Sequence, residues 1–85
     1  MSVAATIETK LKESFAPEAL EVIDESENHR GHAGWRDGGE THFRVRMRAA
    51  AFDGMSRVER SRAVHAALAE ELAGRVHALT LDLSA

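Results

Sequence analysis

Five histidines and no cysteine set the chemistry that this 85-residue chain can offer. Without a thiol, the chain cannot form a disulfide, a zinc ribbon or a self-contained iron–sulfur site. Any thiolate in its chemistry must therefore come from another molecule. The chain's own nitrogen ligands for a metal are the imidazoles of His29, His32, His42, His65 and His77.

Three of these histidines lie where a metal ligand could be presented. His77 has the same parity as the leucines that follow it, so we expect it to begin the core-facing row of a strand at the rim of a sheet. His29 and His32 lie in a glycine-rich stretch, from which either could reach that rim. Two or three imidazoles can complete a shared metal site but cannot make a tight closed one. From the residues alone, surface or edge histidines remain the commoner interpretation.

The other two histidines have plainer expected roles. His65 lies among small apolar residues of a predicted helix, which is typical of a flanking or packing residue. His42 shares the polar face of a predicted strand with arginines, where a solvated or hydrogen-bonded role is expected. Neither residue by itself predicts a site.

The first half of the chain predicts a helix and two strands. An amphipathic pattern predicts a first helix that ends before Pro17, which cannot continue it. A short run of branched residues predicts a strand at residues 20–26. Residues 27–39 hold four of the six glycines and predict a loop. A loop of this length is uncommon in a compact domain, which suggests that it has a function. Residues 41–49 alternate between apolar and polar and predict a strand with one buried face.

The second half predicts a turn, a helix and a last strand. Residues 52–54 predict the turn, and Ser56 with Glu59 predicts a capping box at the start of a helix that Gly74 ends. Residues 77–83 predict the last strand. The expected apolar stripe of the helix is Val58, Val64, Leu68 and Leu72.

This order of elements predicts an α+β domain. Two strands joined by a loop are expected to be antiparallel, and a helix between the second and third strands implies a parallel pair. Two helices would then cover one face of a three-stranded mixed sheet. Residues 1–85 are too few for a second core, so we expect a single domain.

Charge and hydropathy narrow the class of protein further. The net charge is −3, yet residues 30–62 carry eight basic and four acidic side chains, a basic band that suits an acidic partner surface. No apolar run approaches the roughly 20 residues of a membrane span. The first residues lack the layout of a signal peptide, so we expect a cytoplasmic protein that does not bind membranes.

Catalytic motifs are absent, whereas a nucleic-acid interpretation has some support. No nucleophile elbow, phosphate-binding loop or zinc-protease motif occurs, so we expect a protein that is not an enzyme. The string Gly-His-Ala-Gly at residues 31–34 matches the Gly-x-x-Gly loop of KH domains, but it lies between strands instead of helices. The arginines that could contact nucleic acid or a partner are Arg44, Arg46, Arg57, Arg60 and Arg62.

Longer motifs carry a resemblance to a known family. The chain resembles the BolA family in Asp-Glu-Ser at 24–26, Glu-Thr-His-Phe-Arg-Val at 40–45, Phe-Asp-Gly at 52–54, Arg-Ser-Arg-Ala-Val-His-Ala-Ala-Leu-Ala-Glu-Glu-Leu at 60–72 and Val-His-Ala-Leu at 76–79. The resemblance extends from about Ile7 to Leu83 in the same order. It implies a class II KH-like αββαβ fold.

The resemblance also implies a function. BolA-like proteins pair with monothiol glutaredoxins and share a bridging 2Fe–2S cluster, to which glutaredoxin and its bound glutathione each give a thiolate. The family's ligand histidine falls on His77, and its loop ligand falls on His29, with His32 as a close rival. The isolated chain is then expected to hold no cofactor and to be a monomer or weak dimer. The implied roles are iron–sulfur trafficking or regulation by iron and redox state.

Two alternatives remain beside this interpretation. Some BolA proteins are described as transcriptional regulators, so DNA is a second expected partner. A plain interaction domain without metal is a third, for which Trp35 in the loop would be the natural anchor. Ser61 stands where many members have histidine, a departure that could alter partner contact or nucleic-acid affinity.

Overall fold

The computed structural model describes residues 2–26 and 41–85. The predicted loop at residues 27–39, with His29, His32 and Trp35, lies outside the described residues. The elements in chain order are α1 (Val3–Phe15), β1 (Ala19–Asp24), β2 (His42–Arg48), a 3₁₀ turn (Ala50–Phe52), α2 (Arg57–Ala67), α3 (Ala69–Ala73) and β3 (Ala78–Ser84). Within these ranges, no helix has the length and apolar character needed to cross a membrane.

Helix α1 has a distinct signal at each end. The Ser2 hydroxyl accepts a hydrogen bond from the Ala5 N–H at 3.0 Å, which pairs one of the free amides at the helix start. At the other end, Ala16 adopts a left-handed conformation with φ of 46°, and its N–H donates to the Lys12 carbonyl. Pro17 follows and prevents another turn. The predicted end of the first helix is thereby confirmed.

The sheet has the predicted pairing. Its strand order is β1-β2-β3, with β1 and β2 antiparallel and β2 and β3 parallel. The first strand ends at Asp24, two residues before the predicted end, because Ser26 bonds through its side chain instead of the ladder. The α+β architecture with a three-stranded mixed sheet is therefore confirmed.

One face of the sheet carries the core. The central strand contributes Phe43, Val45 and Met47, each at most 3% exposed, and Ile7 and Leu11 of α1 are fully buried against the same cluster. The remaining buried apolar residues of that cluster are Ala49, Phe52, Val64, Leu68 and Val76. The opposite face bears the charged side chains of the strands, so the helices cover a single face as predicted.

The predicted second helix is divided in two. Its capping box is present, with the Glu59 N–H donating to the Ser56 hydroxyl and the Ser56 N–H donating to the Glu59 carboxylate. This backbone hydrogen bond lowers the pKa of Glu59. At Leu68, φ of −107° and ψ of 21° leave the helical range and separate α2 from α3. Helix α3 still ends at Ala73, immediately before Gly74 as predicted.

One of the four residues in the predicted apolar stripe of this helix does not face the core. Val58 is 57% exposed, whereas Val64 and Leu68 are buried. At 3.6 residues per turn, a six-residue step rotates a side chain by about 120° away from the starting face. Val58 therefore points away from the core that Val64 contacts, and its predicted burial is wrong.

An ion pair ties α1 to α3. The Lys10 ammonium donates to both carboxylate oxygens of Glu71, at 3.0 and 2.8 Å. This hydrogen bond raises the pKa of Lys10 and outweighs the opposing effect of desolvation. The contact connects the short α3 segment to α1.

Candidate metal-ligand site at the base of the first loop

His77 lies immediately before β3, beside the start of β2. Its N–H donates to the Thr41 carbonyl at 2.7 Å, and the N–H of Ala78 donates to the same oxygen at 3.1 Å. Because two consecutive amides share one carbonyl, as in a β-bulge, the alternation of β3 does not continue back to His77. The prediction that His77 begins the core-facing row is therefore wrong. Its side chain is exposed, while the preceding Val76 is only 3% exposed.

His42 lies next to His77 and is buried. The two ring centroids are 5.5 Å apart, at an interplanar angle of 54°. His42 is 4% exposed, and its Nδ1 is 2.8 Å from the Thr41 hydroxyl. Of the two roles expected for His42, the solvated one is wrong and the hydrogen-bonded one is confirmed. An exposed and a buried imidazole thus share this edge of the sheet.

Ser26 joins the two ends of the first loop. Its hydroxyl accepts the N–H of Thr41 at 2.9 Å and the N–H of His42 at 3.2 Å, and it donates to Asp24 Oδ1 at 2.5 Å. Ser26 is 1% exposed and Thr41 is fully buried. We call the group Asp24, Ser26, Thr41 and His42 the loop clamp. It holds both described ends of the loop beside His77.

The arginines of β2 are paired with carboxylates on or beside the two neighbouring strands. Arg44 Nε lies 3.0 Å from Glu25 Oε2, and Arg48 Nε lies 3.4 Å from Glu18 Oε2. Arg46 lies 3.8 Å from carboxylate oxygens of both Glu21 and Asp82. These partners neutralise the exposed face of the sheet. The basic band that the sequence predicts is therefore not a basic surface along β2.

The arginines of α2 have different surroundings. In the described part of the chain, Arg57 and Arg62 are exposed and neither forms an ion pair, while Arg60 Nε donates to the Phe52 carbonyl at 3.2 Å. A cleft of about 300 Å³ separates this helix from β3. It is lined by Arg57, Arg60, Ser61, His65, Leu79, Leu81, Asp82 and Leu83. The predicted arginine contacts thus fall on two separate surfaces.

The described residues could supply some of the ligands of a metal site, but not a complete set. Among them, no group of three or more histidine, cysteine, aspartate or glutamate side chains is placed to hold a metal. His77 has an accessible ring, whereas the Nδ1 of His42 is already hydrogen-bonded. The histidines near the clamp can therefore complete a site whose other ligands come from elsewhere.

Sequence reasoning did not find the loop clamp. Asp24, Ser26, Thr41 and His42 all lie within recognised motifs, but apart from a hydrogen-bonded role for His42 no contact among them was predicted. The available signal was the predicted parallel pairing, which brings the starts of β2 and β3 together. His42 pairs with Ala78 in the register, so the neighbour of His77 follows from that pairing.

The fold and this edge define a small α+β domain of the αββαβ type, in which the residues that flank positions 27–40 are hydrogen-bonded to each other. The chain belongs to the BolA-like family, because the family model described as BolA-like protein matches residues 11–85. It is 52% identical over 80 residues to human BolA-like protein 1, spanning 94% of this chain but 56% of that protein. It is 42% identical over 81 residues to the DNA-binding transcriptional regulator BolA of Escherichia coli, spanning 95% of this chain and 73% of that protein.

The solved structures agree with this assignment. The BolA domain of SufE1 from Arabidopsis thaliana superposes with a TM-score of 0.89 at 38% identity, covering 99% of this chain and 92% of the domain. The predicted family membership is thus confirmed.

Proposed function

We propose that this protein is a non-enzymatic partner of a monothiol glutaredoxin and contributes histidine ligands to a 2Fe–2S cluster that the two proteins share. The observation that carries the proposal is the exposed imidazole of His77 beside the loop clamp, in a chain without cysteine. Glutaredoxin and bound glutathione would supply the thiolates. The proposed roles are iron–sulfur trafficking and regulation by iron or redox state.

The described residues fit one half of such a site. No cysteine competes for the iron, and the ligands among residues 2–26 and 41–85 are too few to close a site by themselves. Imidazole ligands raise the potential of a 2Fe–2S cluster relative to all-cysteine ligation. His77 would be one ligand, and its accessible position leaves room for the partner's thiolates.

The loop clamp supports a second ligand from the loop. His29 follows Ser26 by three residues in the sequence, and His32 follows it by six. Three residues of extended chain span at most about 11 Å, which favours His29 over His32 as the residue kept near the clamp. We therefore propose His77 and His29 as the ligand pair, with His32 as the rival.

Reconstitution with a monothiol glutaredoxin tests the proposal. The purified proteins are mixed with glutathione, iron and sulfide, and visible circular dichroism is recorded. We expect a spectrum that differs from that of the glutaredoxin homodimer and that His77→Ala abolishes. His65→Ala is the matched control, since His65 is exposed on α2 and should leave the spectrum unchanged. His29→Ala and His32→Ala then identify the loop ligand. A wild-type mixture that shows only the homodimer spectrum would refute the proposal.

Nucleic-acid binding is a second candidate function, favoured by the name of the Escherichia coli relative and by Arg57 and Arg62 of α2, which are exposed and form no ion pair with another described residue. Each arginine that contacts a phosphate contributes about one unit to the slope of log affinity against log salt. We expect Arg57→Ala and Arg62→Ala each to reduce that slope by about one. Arg46→Ala, which removes an already paired side chain, is the control. Equal effects of all three substitutions in a gel-shift titration would contradict this function.

A further inference from the structure

The ring of His42 lies against the ring of His77, and its Nδ1 atom is hydrogen-bonded to the Thr41 hydroxyl. A centroid separation of 5.5 Å falls within the range of about 4.5–7 Å that aromatic pairs adopt. An exposed histidine otherwise moves among several staggered rotamers. The buried ring of His42 therefore gives the exposed ring of His77 a fixed surface to contact.

The hydrogen bonds of Ser26 constrain which groups of the loop clamp donate and which accept. A hydroxyl has one hydrogen and two lone pairs, and an ionised carboxylate can only accept. The Ser26 hydrogen goes to Asp24 Oδ1, and the two lone pairs receive the amides of Thr41 and His42. The Thr41 hydroxyl also lies 3.4 Å from Ser26 Oγ, a longer contact than either amide makes with that oxygen.

The Thr41 hydroxyl is closer to His42 and is taken to donate to that ring. It lies 2.8 Å from Nδ1, which then acts as the acceptor. In a neutral imidazole the hydrogen is then on Nε2. Because this bond fixes rotation about the Cβ–Cγ bond, the plane of the His42 ring is set by the clamp and not by solvent.

We infer that His42 is a positioning residue for His77. The clamp holds the His42 ring in the Nε2–H tautomer, and that ring holds the His77 imidazole in one orientation before any partner arrives. The inference rests on the proposed function of His77 as a cluster ligand. A ligand that is already oriented loses less conformational freedom on binding, so the effect is on the affinity for the cluster.

The free protein provides the first test. Long-range ¹H–¹⁵N spectra at pH about 8, where an ordinary imidazole is neutral, should show His42 as the Nε2–H tautomer. Side-chain couplings should show a single χ1 rotamer for His77 in the wild type and averaging in His42→Ala. The Nδ1–H tautomer at His42, or a His77 rotamer that does not respond to His42→Ala, would overturn the inference. Far-UV circular dichroism confirms that the variant is folded under these conditions.

The heterodimer with glutaredoxin provides the second test. Removal of a residue that orients a metal ligand costs about 10–100-fold in metal affinity, so we expect at least a tenfold weaker cluster in His42→Ala. The double variant Thr41→Val/His42→Phe keeps a ring and removes both hydrogen-bonding partners together, so it should restore the affinity to within about threefold of the wild type. His65→Ala again serves as the control.

The two proposals fail in different ways. If the wild-type chain gives no shared-cluster spectrum, the proposed function is refuted, and the positioning role is refuted with it. If the wild type gives the spectrum and His42→Ala gives the same spectrum with unchanged affinity, only the positioning role is refuted. A double variant that stays as weak as His42→Ala would also refute positioning by ring contact.

Discussion

Phe52→Ala is expected to lower the free energy of unfolding by about 3–5 kcal/mol, because it removes a fully buried ring from the centre of the core. The Phe52 ring lies 5.0 Å from that of Phe15, and the Phe52 carbonyl accepts a hydrogen bond from Arg60. It therefore connects α1, the 3₁₀ turn and α2. A domain of this size has a total stability of roughly 4–13 kcal/mol, so the substitution should remove a substantial part of that stability.

Urea denaturation followed by far-UV circular dichroism measures this loss. Val58→Ala is the matched control, since it also removes a large apolar side chain but from a position that is 57% exposed. That substitution should change the stability by less than about 0.5 kcal/mol. A loss below about 1 kcal/mol for Phe52→Ala would contradict its place in the core.

Phe52 also shows what the sequence could predict about the fold. Local patterns predicted the turn at residues 52–54, and a 3₁₀ turn ends at Phe52. They did not assign its ring to the core, because that depends on α1 and α2 meeting over the turn. The predicted burial of Val58 was wrong because burial there also depends on tertiary packing. Its type suggested burial, while the helix rotation that exposes it is set by Val64 and Leu68 packing on the sheet.

The sheet was predictable because its signals are local. The period of two in residues 41–49 indicated which side of β2 is buried, and the intervening helix implied the parallel pairing with β3. The partners of the β2 arginines were not predictable in the same way. Their neutralisation by Glu21, Glu25 and Asp82 depends on register, and a shift of one residue would place these carboxylates on the other face.

The candidate site was only partly predictable. His77 was singled out as a candidate from its place at the start of a strand and from the family resemblance. Its exposure was not predicted, because the alternation of the strand does not reveal that the amides of His77 and Ala78 share the Thr41 carbonyl. His42 was assigned to a polar face by the same alternation. Its burial depends on Ser26 and Thr41 closing the loop base, which is a contact between residues 15 or 16 positions apart.

Ser26→Ala is expected to lower the free energy of unfolding by about 2–4 kcal/mol, the second largest effect that the structure predicts. The substitution leaves the buried amides of Thr41 and His42 without their acceptor, and each buried unpaired group costs about 1–3 kcal/mol. Ser14→Ala is the control, because Ser14 is exposed on α1 and should tolerate alanine within about 0.5 kcal/mol.

Amide hydrogen exchange distinguishes a local effect of Ser26→Ala from a general loss of stability. If the clamp closes the loop, the amides of Thr41 and His42 should exchange faster by a larger factor than those in the middle of β2, such as Val45. Equal acceleration along β2 would show that Ser26 contributes only to global stability. Selective acceleration, together with a weaker cluster in the proposed glutaredoxin heterodimer, is expected because the described ends that flank residues 27–40 are then no longer held together beside His77. A stability change no larger than that of Ser14→Ala would contradict the clamp.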